Sequence, residues 1–201
     1  SMEFNNINTA YNSIRNEYNK DLISKWKEGK TGIPIIDACM RCLDKTGYLN
    51  FRMRAMIVSF AAFNLWQNWK NFSHFLARKF LDYEPGIHYS QIQMQSAVTG
   101  INTVRIYNPI KNSILLDPDG QFIKKWVSEL KSIPKEYIHE PWKMTKIEQD
   151  MYDFSVNEDY FFPIIDIEQS RKSASEKIWK IRKGSKSKID ANKIIKKHVN
   201  S

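Results

Sequence analysis

The side chains of this sequence best suited to chemistry are two cysteines, four histidines and six tryptophans. Cys39 and Cys42 form a single Cys-x-x-Cys, the spacing of a redox pair or of half a zinc site. A zinc ribbon needs a second pair or histidines at ligand spacing, and His74, His88, His139 and His198 are scattered. The pair also falls in a strongly helical stretch, where small apolar side chains fill a core. Both cysteines are therefore read as filler, and no metal site is expected. The tryptophans offer aromatic packing and stacking partners for a planar ligand. Reduced thiols and the lack of a signal peptide point to an intracellular, cytoplasmic protein.

Charge is unevenly placed. Residues 1–170 hold 20 basic and 20 acidic side chains, whereas residues 171–201 hold 11 basic and 2 acidic, so the tail supplies the whole excess of +9. A basic tail favours polyanions such as nucleic acid, and it also suits a solvated helix face; composition leaves both open.

The elements that must position these groups are helices. With 42% hydrophobic residues in 201, the chain can bury a core. Residues 1–20 are expected to be a loosely structured amino-terminal stretch, Asn-rich over 5–19. Residues 20–170 should form the helical region and 171–201 a basic helical tail. Leu22, Ile23 and Trp26 predict a short helix over Asp21–Glu28. Pro34 suits a first helical position, Ile36, Met40 and Leu43 recur at helical spacing, and Gly47 is a plausible stop. A long, central helix is predicted over Phe51–Trp69, apolar nearly all round yet too short and polar to span a bilayer. Further helices are predicted over Phe72–Leu81, Ser90–Val98, the run from Phe122 to Leu130, Glu168–Arg182 and Ala191–His198. Pro85-Gly86 and Asn108-Pro109 read as breaks, and Lys143–Pro163 as irregular, aromatic-rich chain. Strand signals are weak. The fold class is all-α, a multi-helical bundle.

Five blocks then point to a family. Residues 25–41 read KWKEGKTGIPIIDACMR and resemble W-x-x-G-x-T-G-x-P-x-x-D-A-x-M-R of photolyases and cryptochromes. Thr46-Gly47-Tyr48-Leu49-Asn50-Phe51-Arg52-Met53-Arg54 resembles T-G-W-x-x-N-R-x-R. Arg105-Ile106-Tyr107-Asn108-Pro109 is similar to R-I-F-N-P, residues 117–127 to D-P-x-G-x-(Y/F)-I-(R/K)-x-W-V, and His139-Glu140-Pro141-Trp142 to H-x-P-W. The blocks come in family order and cover about residues 20–185. Members run to more than twice this length, with an α/β antenna-binding domain and the loop that holds the flavin phosphates placed before the part matched here. The resemblance thus implies the carboxy-terminal part of a helical FAD-binding domain, a flavoprotein of photoreception or DNA repair that is incomplete as an isolated chain.

The resemblance also implies the site. FAD would lie against Arg54 and Asp82, the arginine–aspartate pair beside the ring, with Glu84, His88, Tyr48 and Phe51 as further cofactor-binding positions. Without a ligand, Arg54–Asp82 reads as an interior salt bridge. His88 would place a titratable group near the ring's N5. Trp69 matches the middle member of the family's electron-carrying tryptophans and otherwise packs the core. Ile92 and Asn16 replace the other two, leaving Trp66 and Tyr89 as candidate stand-ins. Arg52 and Arg105 match phosphate-contacting arginines, or else pair on a helix surface. Phe51 and Met94 replace the asparagine and tryptophan that contact a lesion. Of Gln91, Gln93 and Gln95, some should line the cavity and others bond within the domain, since alternate residues of a helix do not share a face. DNA is an expected partner, as is an amino-terminal half or a second copy covering the open flavin wall. A non-catalytic nucleic-acid-binding remnant or an oligomerising module are the alternative readings.

Overall fold

A computed structural model describes residues 3–198, and residues 199–201 of the basic tail lie outside the described residues. The order is α1 (Lys20–Glu28), α2 (Pro34–Thr46), α3 (Phe51–Ser59), α4 (Lys70–Lys79), α5 (Pro85–Gln95), α6 (Pro109–Leu116), α7 (Gln121–Trp126), α8 (Lys146–Met151), α9 (Ile167–Lys183) and α10 (Ser185–His198). Short 3-10 turns punctuate them, and the described residues contain no strand beyond an isolated bridge between Val156 and Tyr160. No helix among these residues is long and apolar enough to cross a membrane.

Helix α2 is the hub: it packs on α1, α3, α6 and α7 and is buried from Pro34 to Met40. Its apolar stripe continues into Trp26, whose ring meets the edge of Phe72 at 5.5 Å. Cys39 and Cys42 are free and buried within it, Cys39 completely. Burial pushes the Cys39 thiol far up, which suits packing rather than redox chemistry.

The polar residues of the motif blocks hold this architecture. Asp37 is fully buried and accepts from Thr31 N (2.8 Å), Thr31 Oγ1 (2.6 Å), Gly32 N (3.0 Å) and the Tyr160 hydroxyl (2.6 Å). Arg41 donates to Glu129 at 2.8 Å and to the Gly29 carbonyl at 3.1 Å. Asp117 accepts from Phe122 N and Ile123 N, capping α7. His139 Nδ1 meets Ser113 Oγ at 2.7 Å. Buried polar groups are tolerated only with such partners.

Several boundaries differ from the sequence expectation. The long helix from Phe51 ends its α-helical part at Ser59, passes through one π-helical turn over Phe60–Asn64, and stops at Trp66, which adopts φ 53°. Polar side chains at this end find partners, Asn64 donating to Ser170 Oγ and Gln67 to the Leu65 carbonyl. Pro85-Gly86 starts α5 instead of breaking the chain, because proline fits the first helical turn and the Glu84 carboxylate accepts from Gly86 N at 3.1 Å. Asn108-Pro109 starts α6 in the same way. Thr145 and Glu148 form a capping box that makes α8 out of part of the stretch expected to be irregular. Residues 5–19, expected to be loose, carry buried Asn8, Tyr11, Ile14 and Arg15, pack against α10 and tie to α5 through Gln93. The described part of the basic tail is helical, with α9 buried through Ile167, Ala174 and Ile178.

Candidate functional site

The α2–α3 turn and the α4–α5 turn meet to build the site. Gly47 ends α2 at φ 66°, with its N–H on the Leu43 carbonyl. Its own carbonyl receives Leu81 N at 3.0 Å, which clamps the start of the second turn against the first. A Cβ at Gly47 would stand 2.5 Å from Leu81 Cγ, so glycine is needed for both conformation and contact. Asn50 then caps α3 by accepting from Met53 N at 3.0 Å, and the first turn of α3 presents Phe51, Arg52 and Arg54.

Arg54 is held on several sides. Nε donates to the Leu49 carbonyl at 2.6 Å and Nη2 to Asp82 Oδ2 at 2.8 Å. The guanidinium lies 4.2 Å from the Phe80 ring centroid and 5.3 Å from that of Tyr48. Nη1 remains unengaged among the described residues. The Arg54 hydrogen bond, together with its charge, holds the Asp82 carboxyl below the usual carboxylate range.

Beside this pair lies an open slot of about 190 Å³, walled by Phe51, Val58, Phe80, Ile87 and Ile92 and edged by Asp82, Glu84, His88, Gln91 and Gln95. Of the flavin-side positions expected from sequence, Phe51, Arg54, Asp82, Glu84 and His88 converge here. Tyr48 does not line the slot; it is exposed beside it, with its ring 5.3 Å from the Arg54 guanidinium. Glu84 caps α5 from the rim. His88 Nε2 is 3.0 Å from the Ser73 carbonyl, which can only accept, so that nitrogen carries the proton and Nδ1 does not. Burial, and then the Arg54 charge, push the imidazole below its ordinary value, against the Ser73 bond that raises it.

The glutamines divide by helical face. Gln91 and Gln95 line the slot, one turn apart, while Gln93 is buried on the opposite side, bonded to Ile7 N and the Asn5 carbonyl. Gln91 Oε1 is buried with no hydrogen-bond partner. An orphaned amide oxygen at the polar edge of a slot with an apolar wall is what an N–H on a planar ligand would satisfy, and the slot's residues fit a flavin ring on that ground.

A second hollow, about 310 Å³, adjoins the slot and shares Phe51 and Gln95 with it. Met94, Arg105 and Tyr107 line it, and the segment that carries Arg105 is tethered by Tyr107 N donating to Ser59 Oγ at 3.1 Å. Phe51, 61% exposed, forms the ridge between the two. Arg52 and Arg105 are both exposed and have no ion pair among the described residues, contrary to the helix-surface ion-pair reading.

Trp69 is buried, its indole N–H donating to Asn6 Oδ1 at 2.6 Å, with the Tyr89 ring at 6.4 Å. Trp66 lies between Arg15 and Lys177, each 4.7 Å from its ring. Two cations against an indole oppose the positive charge that an electron hole would place there, so Trp66 is a poor stand-in carrier. Sequence reasoning missed Tyr83, on the slot wall, and the 3.0 Å contact between the Tyr89 hydroxyl and His74 Nδ1. Residues 83 and 89 each stand next to a position already singled out, but nothing in the spacing pairs either with His74.

An all-α bundle whose helix-terminal turns border an open, arginine-edged slot suits a flavin-binding domain. The family model for the FAD-binding domain of DNA photolyase matches residues 1–180, and the chain belongs to that family. FAD is the cofactor of this domain. A deoxyribodipyrimidine photo-lyase of Alkalihalophilus pseudofirmus is 36% identical over 171 residues, which are 84% of this chain and 36% of that protein. Cryptochrome-1 of Drosophila melanogaster is 32% identical over 159 residues, 77% of this chain and 29% of its own. Among solved structures, the archaeal photolyase from Sulfolobus tokodaii with two FAD molecules superposes with a TM-score of 0.79 at 32% identity, covering 89% of this chain and 39% of that one. The class III photolyase of Agrobacterium tumefaciens gives 0.82 at 25% identity, covering 91% and 38%. The chain therefore spans about a third of the length of the curated relatives it matches.

Proposed function

We propose that the slot between α3 and α5 holds the isoalloxazine ring of FAD, and that the protein uses it for light-driven electron transfer in DNA repair or photoreception. The observation that carries this reading is Arg54: a guanidinium fixed by Leu49, Asp82 and Phe80, with one nitrogen still free at the edge of an apolar slot. When bound, the flavin supplies one-electron chemistry and the light absorption that drives it. A fixed positive charge beside the ring favours uptake of an electron, because the reduced ring gains negative charge in a site of low dielectric. His88 and the Gln91 amide would orient the ring's polar edge. Tyr48 would stiffen Arg54 by packing on its guanidinium.

DNA is the partner that the neighbouring hollow suits. Arg52 and Arg105 flank the Phe51 ridge without carboxylate partners, so both are available to phosphate. Phe51 and Met94 would give a lesion apolar contact where the family uses polar contact and stacking, which favours altered substrate choice or photoreception over ordinary dimer repair. Leu81, Ile87, Tyr48 and Phe51 stay exposed round the slot, and we propose that the rest of a longer FAD-binding domain, or a second copy, covers them. A remnant that only binds nucleic acid gains no support from the family match over the FAD reading.

The test is colour and bleaching. Purified protein mixed with FAD should retain a flavin spectrum through gel filtration and lose its visible band under blue light with an external reductant. Wild-type protein that elutes colourless at saturating FAD contradicts the reading.

A further inference from the structure

Tyr89 lies directly behind the slot, 3% exposed, on the helical turn that carries His88. Its ring centroid is 5.1 Å from that of His88 and 6.4 Å from that of Tyr83, and both of these residues line the slot. Its hydroxyl stands 3.0 Å from Nδ1 of His74, an exposed residue of α4. A buried phenol thus joins the slot's aromatic wall to an imidazole that faces water.

The chemistry of a phenol gives that arrangement a use. Burial first, and then the Tyr83 hydroxyl, hold the Tyr89 phenol up to about 12, so it does not ionise before it is oxidised. A phenol that loses an electron becomes a strong acid and must shed its proton in the same event, which requires a base already in contact. The hydroxyl can donate to Nδ1 when His74 carries its own proton on Nε2. The neighbouring tryptophans lack such a base. Trp69 donates to an amide oxygen, which is too weak to accept the proton outright, and Trp66 is flanked by two cations. Position 92 is an isoleucine and carries no electron.

We propose that Tyr89 is the electron donor to the flavin and that His74 takes its proton. This rests on the flavin reading of the slot. One electron leaves Tyr89, through its contact with Tyr83 or His88, for the light-excited oxidised flavin. The Tyr89 O–H bond breaks and the proton moves to His74 Nδ1. Tyr89 is left as a neutral radical, His74 as an imidazolium and the electron on the flavin, so charge balances. Because His74 is exposed, its proton exchanges with water, and charge recombination must wait for one to return. Trp69, edge-on to Tyr89, passes any hole of its own to the same sink.

Two measurements on the full chain test this. Without flavin, the NMR signals of His74 in wild type and Tyr89→Phe should differ in the Nδ1 shift, as the hydrogen bond is lost; identical shifts overturn the proposal. With FAD under pulsed blue light, electron paramagnetic resonance should show a long-lived tyrosyl radical that Tyr89→Phe abolishes, that forms more slowly in D2O, and that His74→Phe shortens. Tyr83 is 38% exposed, so FAD from solution reaches the relay even where binding is weak. An unchanged radical in Tyr89→Phe, or an unchanged lifetime in His74→Phe, overturns the relay. Failure of FAD to stay with the protein in gel filtration would instead count against the slot.

Discussion

Arg54 Nη2 and Asp82 Oδ2 lie 2.8 Å apart although 28 positions separate them, and the Gly47–Leu81 backbone hydrogen bond is what brings their two turns together. The pair is only half sheltered, with side-chain exposures of 25% and 54%, so its contribution to stability is small. Its value lies in holding the guanidinium still beside the slot.

Arg54→Ala should weaken FAD binding by roughly 10- to 150-fold, the range for one charged hydrogen bond of about 1.5–3 kcal/mol. Arg54→Lys should recover only part of this, because an ammonium cannot bond Leu49 and Asp82 as a fork and stack on Phe80 as well. Fluorescence titration of FAD with the three proteins checks the order wild type, lysine, alanine.

Gly47→Ala should destabilise the fold by more than about 1–2 kcal/mol, the cost of a left-handed backbone with a Cβ, because Leu81 must also move. Adding Leu81→Ala should return the contact part and leave the backbone part. Urea denaturation of the two variants measures the difference, and FAD affinity should follow the displacement of Asp82.

Stability should fall on the acid side through His88. Its folded pKa is lowered, so the unfolded chain binds a proton that the folded chain refuses as pH drops below about 6.5. His88→Gln keeps a donor for the Ser73 carbonyl and removes the titration. Denaturation midpoints between about pH 5 and 7.5 should change less in this variant than in wild type.

Deleting residues 171–201 is not a clean test of the basic tail, because Ala174 and Ile178 belong to the core. Reversing charge at exposed Lys172, Lys180 and Lys183 leaves the buried face of α9 alone. If the tail contacts DNA, each reversal should lower the slope of log affinity against log salt by about 0.9. An unchanged slope assigns the tail to solvation, and Arg52 and Arg105 become the variants to make.

The hub helix, its Gly47 stop and the basic helix α9 were legible in the sequence because periodicity and caps act locally. The motif blocks identified the family, yet Asp37, Arg41, Asp117 and His139 proved to be structural partners of loops and helix ends rather than ligand contacts. Proline misled twice, at Pro85 and Pro109, where a preceding Glu84 or Asn108 could have marked a helix start. The π turn at Phe60–Asn64 was not legible, since the helix it packs against, α9, lies far along the chain. Arg54 and Asp82 came from resemblance; Tyr83, Tyr89 and His74 converge only in three dimensions.

The central claim is that FAD's ring sits against Arg54 in the α3–α5 slot, and amide NMR of the full chain during FAD titration tests it most directly. The account predicts the largest shift changes at Arg54, Asp82, His88 and Gln91, with the Arg54 side-chain N–H signals slowed in exchange. Saturable binding that leaves those four residues unmoved would contradict it.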